Sequence, residues 1–236
     1  MGKLATTLRG TAYRITHGEK PAYRDAPADY WNSRHAREGE SLDGVGQIGL
    51  GHAANLADYN EKWHHLAAVL DRCHVDPMAR ALDAGCGIGF FTERLRLRGH
   101  LVAGIDFSAE ALAIARQRLG SGVPLHVQPI DRPVPGEPYE LVMCVDVLFH
   151  IVDTDTWRAT VANLASTCQI DGTLVIQEHL AQPGDSADAD HVRWRTLEDY
   201  QEALPDWRLI EHHTYLLPQA DTTKDILAFR ARSDLR

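Results

Sequence analysis

The residues best placed to do chemistry lie in the run Leu82-Asp83-Ala84-Gly85-Cys86-Gly87-Ile88-Gly89. A short apolar stretch precedes it and a helical pattern follows it. A glycine-rich turn between a strand and a helix brings bare backbone up to a ligand. The unpaired N–H groups of the helix start face the same way. Related turns with the spacing G-x-G-x-x-G cradle dinucleotide pyrophosphates. Here the third glycine comes one residue too early for that pattern, and Asp83 stands two residues before the first glycine. A carboxylate at that point suits a ligand with an ammonium group, not a pyrophosphate.

Two more carboxylates fall at the ends of the next two strands. Asp106 closes Gly104-Ile105-Asp106-Phe107-Ser108, where it can accept both hydroxyls of a ribose. Asp131 follows Ile130 after the third strand, where it can accept the amino hydrogens of an adenine packed between Phe107 and Ile130. Ligands of open parallel sheets sit outside the carboxyl ends of the strands, so three acids at three successive strand ends mark one site.

The elements that must position these groups can be read from periodicity. Ala53–Cys73 has apolar residues at three- and four-residue spacing and reads as a helix. From Ala79 onward strands and helices alternate. The strands are Ala79–Leu82, Leu101–Ile105, Leu125–Val127, Leu141–Val145 and Thr173–Gln177. The helices are Gly89–Arg98, a helix capped by Ser108 and running to Leu119, Asp153–Gln169 and Leu197–Ala203. Trp207–Leu217 and Ile226–Arg230 close the chain as a long hairpin around Ala220–Thr223. Gln128–Pro138 is a proline-rich loop and Gln182–Asp190 an acidic one. This alternation predicts an α/β fold with a doubly wound, mostly parallel sheet. Two regions are expected, an N-terminal lid or extension over 1–52 and the main domain over 53–236.

Composition narrows the field. A net charge of -9 over 236 residues disfavours a phosphate-binding surface, so nucleic acid is not the expected partner. No stretch reaches the roughly 18 apolar residues of a membrane helix. The four cysteines form no CxxC pair, which reads as buried free thiols in a reducing cytoplasm.

On the motifs LDAGCGIG (82–89), GIDFS (104–108), Ile130-Asp131, YELVMCVDVLFHIVD (139–153) and the closing hairpin, the chain resembles the class I S-adenosylmethionine-dependent methyltransferases. The resemblance implies a Rossmann-like, seven-stranded sheet of order 3-2-1-4-5-7-6 with strand 7 antiparallel, and an N-terminal helical lid. S-adenosylmethionine is then the expected cofactor, held by Asp83, Gly85, Cys86, Gly87, Gly89, Asp106, Phe107, Ile130, Asp131, Val145 and Tyr30. Two other readings stay open. One is an S-adenosylmethionine-binding protein or cyclase without methyl transfer. The other is an NAD-dependent oxidoreductase, against which the glycine spacing argues.

The acceptor is expected to be a small molecule methylated on oxygen. Displacement at an activated methyl needs alignment and exclusion of water, and a hydroxyl acceptor can also need a base. Candidates for that role are His150, oriented by Asp146 one helical turn before it, and His179 at the end of strand 5. Trp31, His191 and Arg195 are expected to close over the acceptor. Some related quinone-type enzymes bind Mg²⁺ in the segment after strand 4, but Phe149 here replaces one of the acids. No metal is therefore expected, and turnover should survive a chelator.

Overall fold

The computed structural model describes residues 27–134, 136, 138–182, 185 and 191–231. Residues 1–26 of the expected lid, and most of the acidic 182–190 loop, lie outside the described residues.

Seven strands form one sheet in the order β3-β2-β1-β4-β5-β7-β6. The strands are β1 Arg80–Ala84, β2 Leu101–Asp106, β3 Leu125–Val127, β4 Tyr139–Val145, β5 Cys168–Glu178, β6 Trp207–Leu217 and β7 Thr222–Ala231. Strands β1 to β5 pair in parallel, while β7 runs antiparallel to β5, with Thr173 opposite Arg230 and Glu178 opposite Asp225. Strand alternation sorts the side chains onto two buried faces. Ala81, Leu141, Met143, Val175 and Ala228 pack under α2, His52–Arg72, against Leu66, Val69 and Leu70. Leu82, Val142, Cys144, Leu174 and Leu227 pack on the other face against Trp157, Val161 and Leu164. Those three belong to α5, Thr154–Thr167. The four cysteines are free and buried.

The remaining helices are α1 Pro27–Glu38, α3 Phe90–Leu97, α4 Ala109–Leu119 and α6 Leu197–Ala203. Pro27 occupies the first helical position of α1, where its fixed φ fits and its missing N–H costs nothing. The Ser108 hydroxyl accepts from Ala111 N at the start of α4. The Asp153 carboxylate does the same for α5, from Thr156 N at 2.8 Å.

Two local readings are corrected. Helix α5 ends at Thr167, not Gln169, because Cys168 pairs with Tyr139 and opens β5. Asp146 and His150 are not one α-helical turn apart. Asp146 has φ 55°, and the chain then turns into a short 3-10 helix, Leu148–His150.

Candidate active site

The carboxyl ends of β1, β2 and β4 open into a cavity of about 380 Å³, closed on its far side by residues of α1 and the loop after it. Its floor is the turn between β1 and α3. Gly85 N and Cys86 N both donate to Ile105 O, at 2.8 and 3.0 Å, which ties the turn to β2. Gly87 N donates to Asp106 Oδ2 at 2.9 Å, and Ser108 N donates to Oδ1 of the same carboxylate at 2.8 Å. Gly85 and Gly87 adopt φ values of 78° and 52°, and a Cβ on Gly85 would lie 2.5 Å from Val147 Cγ2. Gly85, Cys86, Gly87 and Asp106 all line the cavity. Burial raises the Asp106 pKa, against the pull of its two backbone donors.

Phe107, Pro129, Ile130 and Asp131 form one side wall. Asn163 of α5 steadies that loop by donating to Ile130 O and Arg132 O, at 2.8 and 2.9 Å. Opposite stand Val145, Asp146 and His150 from the end of β4, with Trp31 and His35 from α1. The Trp31 ring stacks on His35 at 5.8 Å and meets His150 edge-on at 5.3 Å. Tyr59, Phe90 and Phe91 add a second aromatic group, with Tyr59 stacked on Phe91 at 5.3 Å.

Electrostatics separate the polar groups. Burial opposes ionisation of Asp146, but the Lys224 and Lys62 ammoniums outweigh it and hold the carboxyl well below the usual range. Lys62 Nζ lies 2.7 Å from Asp146 Oδ2, Lys224 Nζ grips Oδ1, and Gln177 Nε2 donates to Oδ1 at 3.2 Å. Behind them Glu178 accepts from Val147 N and Leu148 N, and burial, then the Asp146 charge, pushes it up to about 8. Burial lowers both His150 and His35 to about 4. His150 Nδ1 lies 3.2 Å from the His191 carbonyl. Asp146 is thus committed to its two lysines, and the expected orientation of His150 by Asp146 gives way to a bond with the His191 backbone.

Six expected site residues are not among those that line the cavity. Asp83 is 1% exposed and lies behind the turn, accepting from Thr92 Oγ1 at 2.6 Å, with burial pushing it up to about 7. Its carboxylate therefore braces the turn from within. Gly89, φ 81°, starts α3 and packs on Ala115 and Leu119 of α4. His179 has Nδ1 at 2.9 Å from Thr223 O and Nε2 at 3.2 Å from Asp185 Oδ2, so it ties β5 to its surroundings. Arg195 is 4% exposed, lies over the Trp157 ring at 4.9 Å and donates to Ile151 O. Tyr30 and His191 form an outer layer, His191 stacked on His150 at 5.7 Å and Tyr30 edge-on to Trp31 at 5.5 Å.

Sequence reasoning missed Lys62, Lys224, Glu178, Arg34 and His35. Two had a readable signal. Lys62 interrupts the apolar stripe between Tyr59 and Leu66, and His35 follows Trp31 by four residues, on the same helix face.

A glycine turn with its N–H held by a strand-end carboxylate, at the floor of a switch-point cavity in a 3-2-1-4-5-7-6 sheet, defines a Rossmann-like methyltransferase fold. Residues 81–172 match the family model described as a methyltransferase domain. The ubiquinone biosynthesis O-methyltransferase of Sodalis glossinidius is 40% identical over 77 residues, 30% of this chain and 31% of that protein. The chain spans about a third of the length of the first curated relatives it matches. Among solved structures, the magnesium protoporphyrin IX methyltransferase of Synechocystis PCC 6803 with bound SAM superposes with a TM-score of 0.70 at 21% identity. It covers 92% of this chain and 100% of that one. The 1,6-didemethyltoxoflavin-N1-methyltransferase of Burkholderia thailandensis, with its substrate and S-adenosylhomocysteine bound, superposes at 0.64 with 20% identity, over 92% and 93%. The chain belongs to the class I S-adenosylmethionine-dependent methyltransferases.

Proposed function

We propose that this protein transfers a methyl group from S-adenosylmethionine to an oxygen of a small-molecule acceptor. One observation carries the reading. The bare Gly85–Gly87 backbone and the Asp106 carboxylate face the same cavity as an aromatic wall with two neutral imidazoles. The residues present fit the cofactor. A Cβ at Gly85 would collide with Val147, so the turn must stay bare and offers only backbone to a ligand. Asp106 keeps acceptor capacity beyond its two backbone donors for a ribose diol. Phe107 and Ile130 offer apolar faces for an adenine ring, and Asp131 an acceptor for its amino group.

When bound, S-adenosylmethionine supplies an electrophilic methyl on a cationic sulfur. The chain's own residues then have three tasks. Gly85, Cys86, Gly87, Asp106 and Asp131 hold the cofactor. Trp31 and Val45, carried by the lid over 27–52, exclude water and align the acceptor. His150 receives the acceptor's hydrogen bond, and His35 faces the same space. Burial keeps both imidazoles in the proton-accepting form near neutrality.

The test is direct. Calorimetry with S-adenosylmethionine, S-adenosylhomocysteine and NADH is expected to show binding of the first two, and tighter binding of NADH would overturn the cofactor. Incubating the protein with ¹³C-methyl cofactor and a metabolite extract should give S-adenosylhomocysteine and a labelled product. The ¹³C shift of that product distinguishes O–CH₃ from N–CH₃. Cofactor binding with no labelled product would favour a binding protein.

A further inference from the structure

We infer that the acceptor is a planar aromatic with an acidic ring hydroxyl, a phenol in the broad sense, and that Arg34 selects it by stabilising the ionised oxygen. The inference rests on the methyl-transfer reading above. The stacked pair Trp31–His35, with His150 edge-on, is shaped for a flat ring. An aliphatic hydroxyl would need a strong base here. The imidazoles are weak bases, since burial, with the Arg34 cation adding to it, holds both near 4. Asp146 is spoken for by Lys62 and Lys224. The acceptor must therefore give up its proton easily.

Arg34 supplies the missing charge. It is 6% exposed, and its guanidinium lies 5.1 Å from the centre of the Trp31 ring. Nε and Nη2 donate to Asp43 O, at 3.2 and 2.7 Å, and Nη2 to Gly46 O at 2.6 Å. Those carbonyls fix its direction but carry no net charge, so its field reaches the wall. The sign is visible on a phenol already there. Burial and then Asp146 push Tyr59 up, while Arg34 acts in the opposite direction. In the reaction the hydroxyl proton leaves to water by way of an imidazole. The ring oxygen's electron pair forms the O–CH₃ bond as the C–S bond breaks, and the C–S pair returns to sulfur. One proton is released per methyl transferred.

The experiment uses the full chain saturated with S-adenosylhomocysteine and two probes of one shape, 4-nitrophenol and 4-nitroaniline. Affinity is followed by probe absorbance from about pH 5.5 to about pH 8.5, where His35 and His150 stay neutral. Asp83 and Glu178 gain negative charge over that range, which works against an anion, and the aniline reports any such change in the protein. Affinity for the nitrophenol is expected to rise about tenfold as it ionises, one pKa unit's worth of preference. The aniline should stay flat. Arg34→Met should abolish the rise and Arg34→Lys should keep it. A flat or falling nitrophenol profile in the wild type overturns the inference, as does a rise that survives in Arg34→Met. If Arg34→Met fails to fold, the wild-type profile and Arg34→Lys decide, because the lysine keeps the charge and loses the fork. Wild-type protein that binds no S-adenosylhomocysteine overturns the methyl-transfer reading instead.

Discussion

Asp106 does two jobs with one carboxylate. It holds Gly87 N and Ser108 N, and it faces the cavity. Asp106→Ala is expected to weaken S-adenosylhomocysteine binding by about 1.5–3 kcal/mol, the worth of hydrogen bonds to a charged acceptor. Calorimetry on the folded variant checks it, and unchanged affinity would move the ribose site elsewhere. His150 is the histidine expected to matter most for turnover. His150→Ala should lower kcat by about 10²-fold, the lower end for a positioned proton acceptor, with cofactor affinity nearly constant. Because burial lowers His150 to about 4, any acid limb it imposes on the wild-type rate should fall near that pH. A limb at the ordinary imidazole value of about 6.5 that vanishes in His150→Ala would contradict this environment.

At the scale of elements, the turn and helix α3 depend on close approach. A Cβ on Gly89 would lie 3.0 Å from Leu119 Cδ1 and 3.2 Å from Ala115 Cβ, at φ 81°. Gly89→Ala is expected to cost about 1–3 kcal/mol through backbone strain and overpacking between α3 and α4. Urea midpoints measure it. Since Gly89 is not a lining residue, surviving protein should bind S-adenosylhomocysteine nearly as well as wild type. A variant with normal stability and lost binding would place Gly89 in the site after all. Helix α1 is the element least readable in the sequence. Its buried Arg34 and His35 blur the apolar stripe, because these polar side chains find their partners and neighbours only in the folded chain.

For the whole molecule, buried titratable groups make stability respond to pH in two opposed ways. His35 and His150 have folded pKa values depressed to about 4. The unfolded chain binds their protons first, so stability is lost as pH falls from about 6.5 to about 4. Glu178 is the reverse. Its folded pKa is raised to about 8, so the folded state holds the extra proton and stability is lost as pH rises from about 4.3 to 8. Glu178→Gln should gain Tm on the wild type steadily over that rise, since the amide oxygen can still accept from Val147 and Leu148. His35→Phe should gain on it as pH falls through the acid window. Parallel Tm curves for wild type and variants would show that these groups are not buried as described.

Much of this protein was legible in its sequence because the signals are local. The strand–turn–helix at Leu82–Gly89, the Ser108 cap, the exact ends of β3, α6 and β6, and the strand-end acids Asp106 and Asp131 follow from periodicity and residue type within a few positions. The sheet order followed from resemblance carried by the same motifs. Direction in space and long-range pairing were not legible. Asp83 looks identical to Asp106 on paper, yet Thr92 draws one inward while the Gly87 and Ser108 amides hold the other at the cavity. Asp146 could be seen, but not the two lysines that claim it, one 84 residues before it and one 78 residues after it. Those bonds are a property of packed elements: α2 and β7 bring their charges together only once both lie against the end of β4, where burial makes a shared carboxylate necessary.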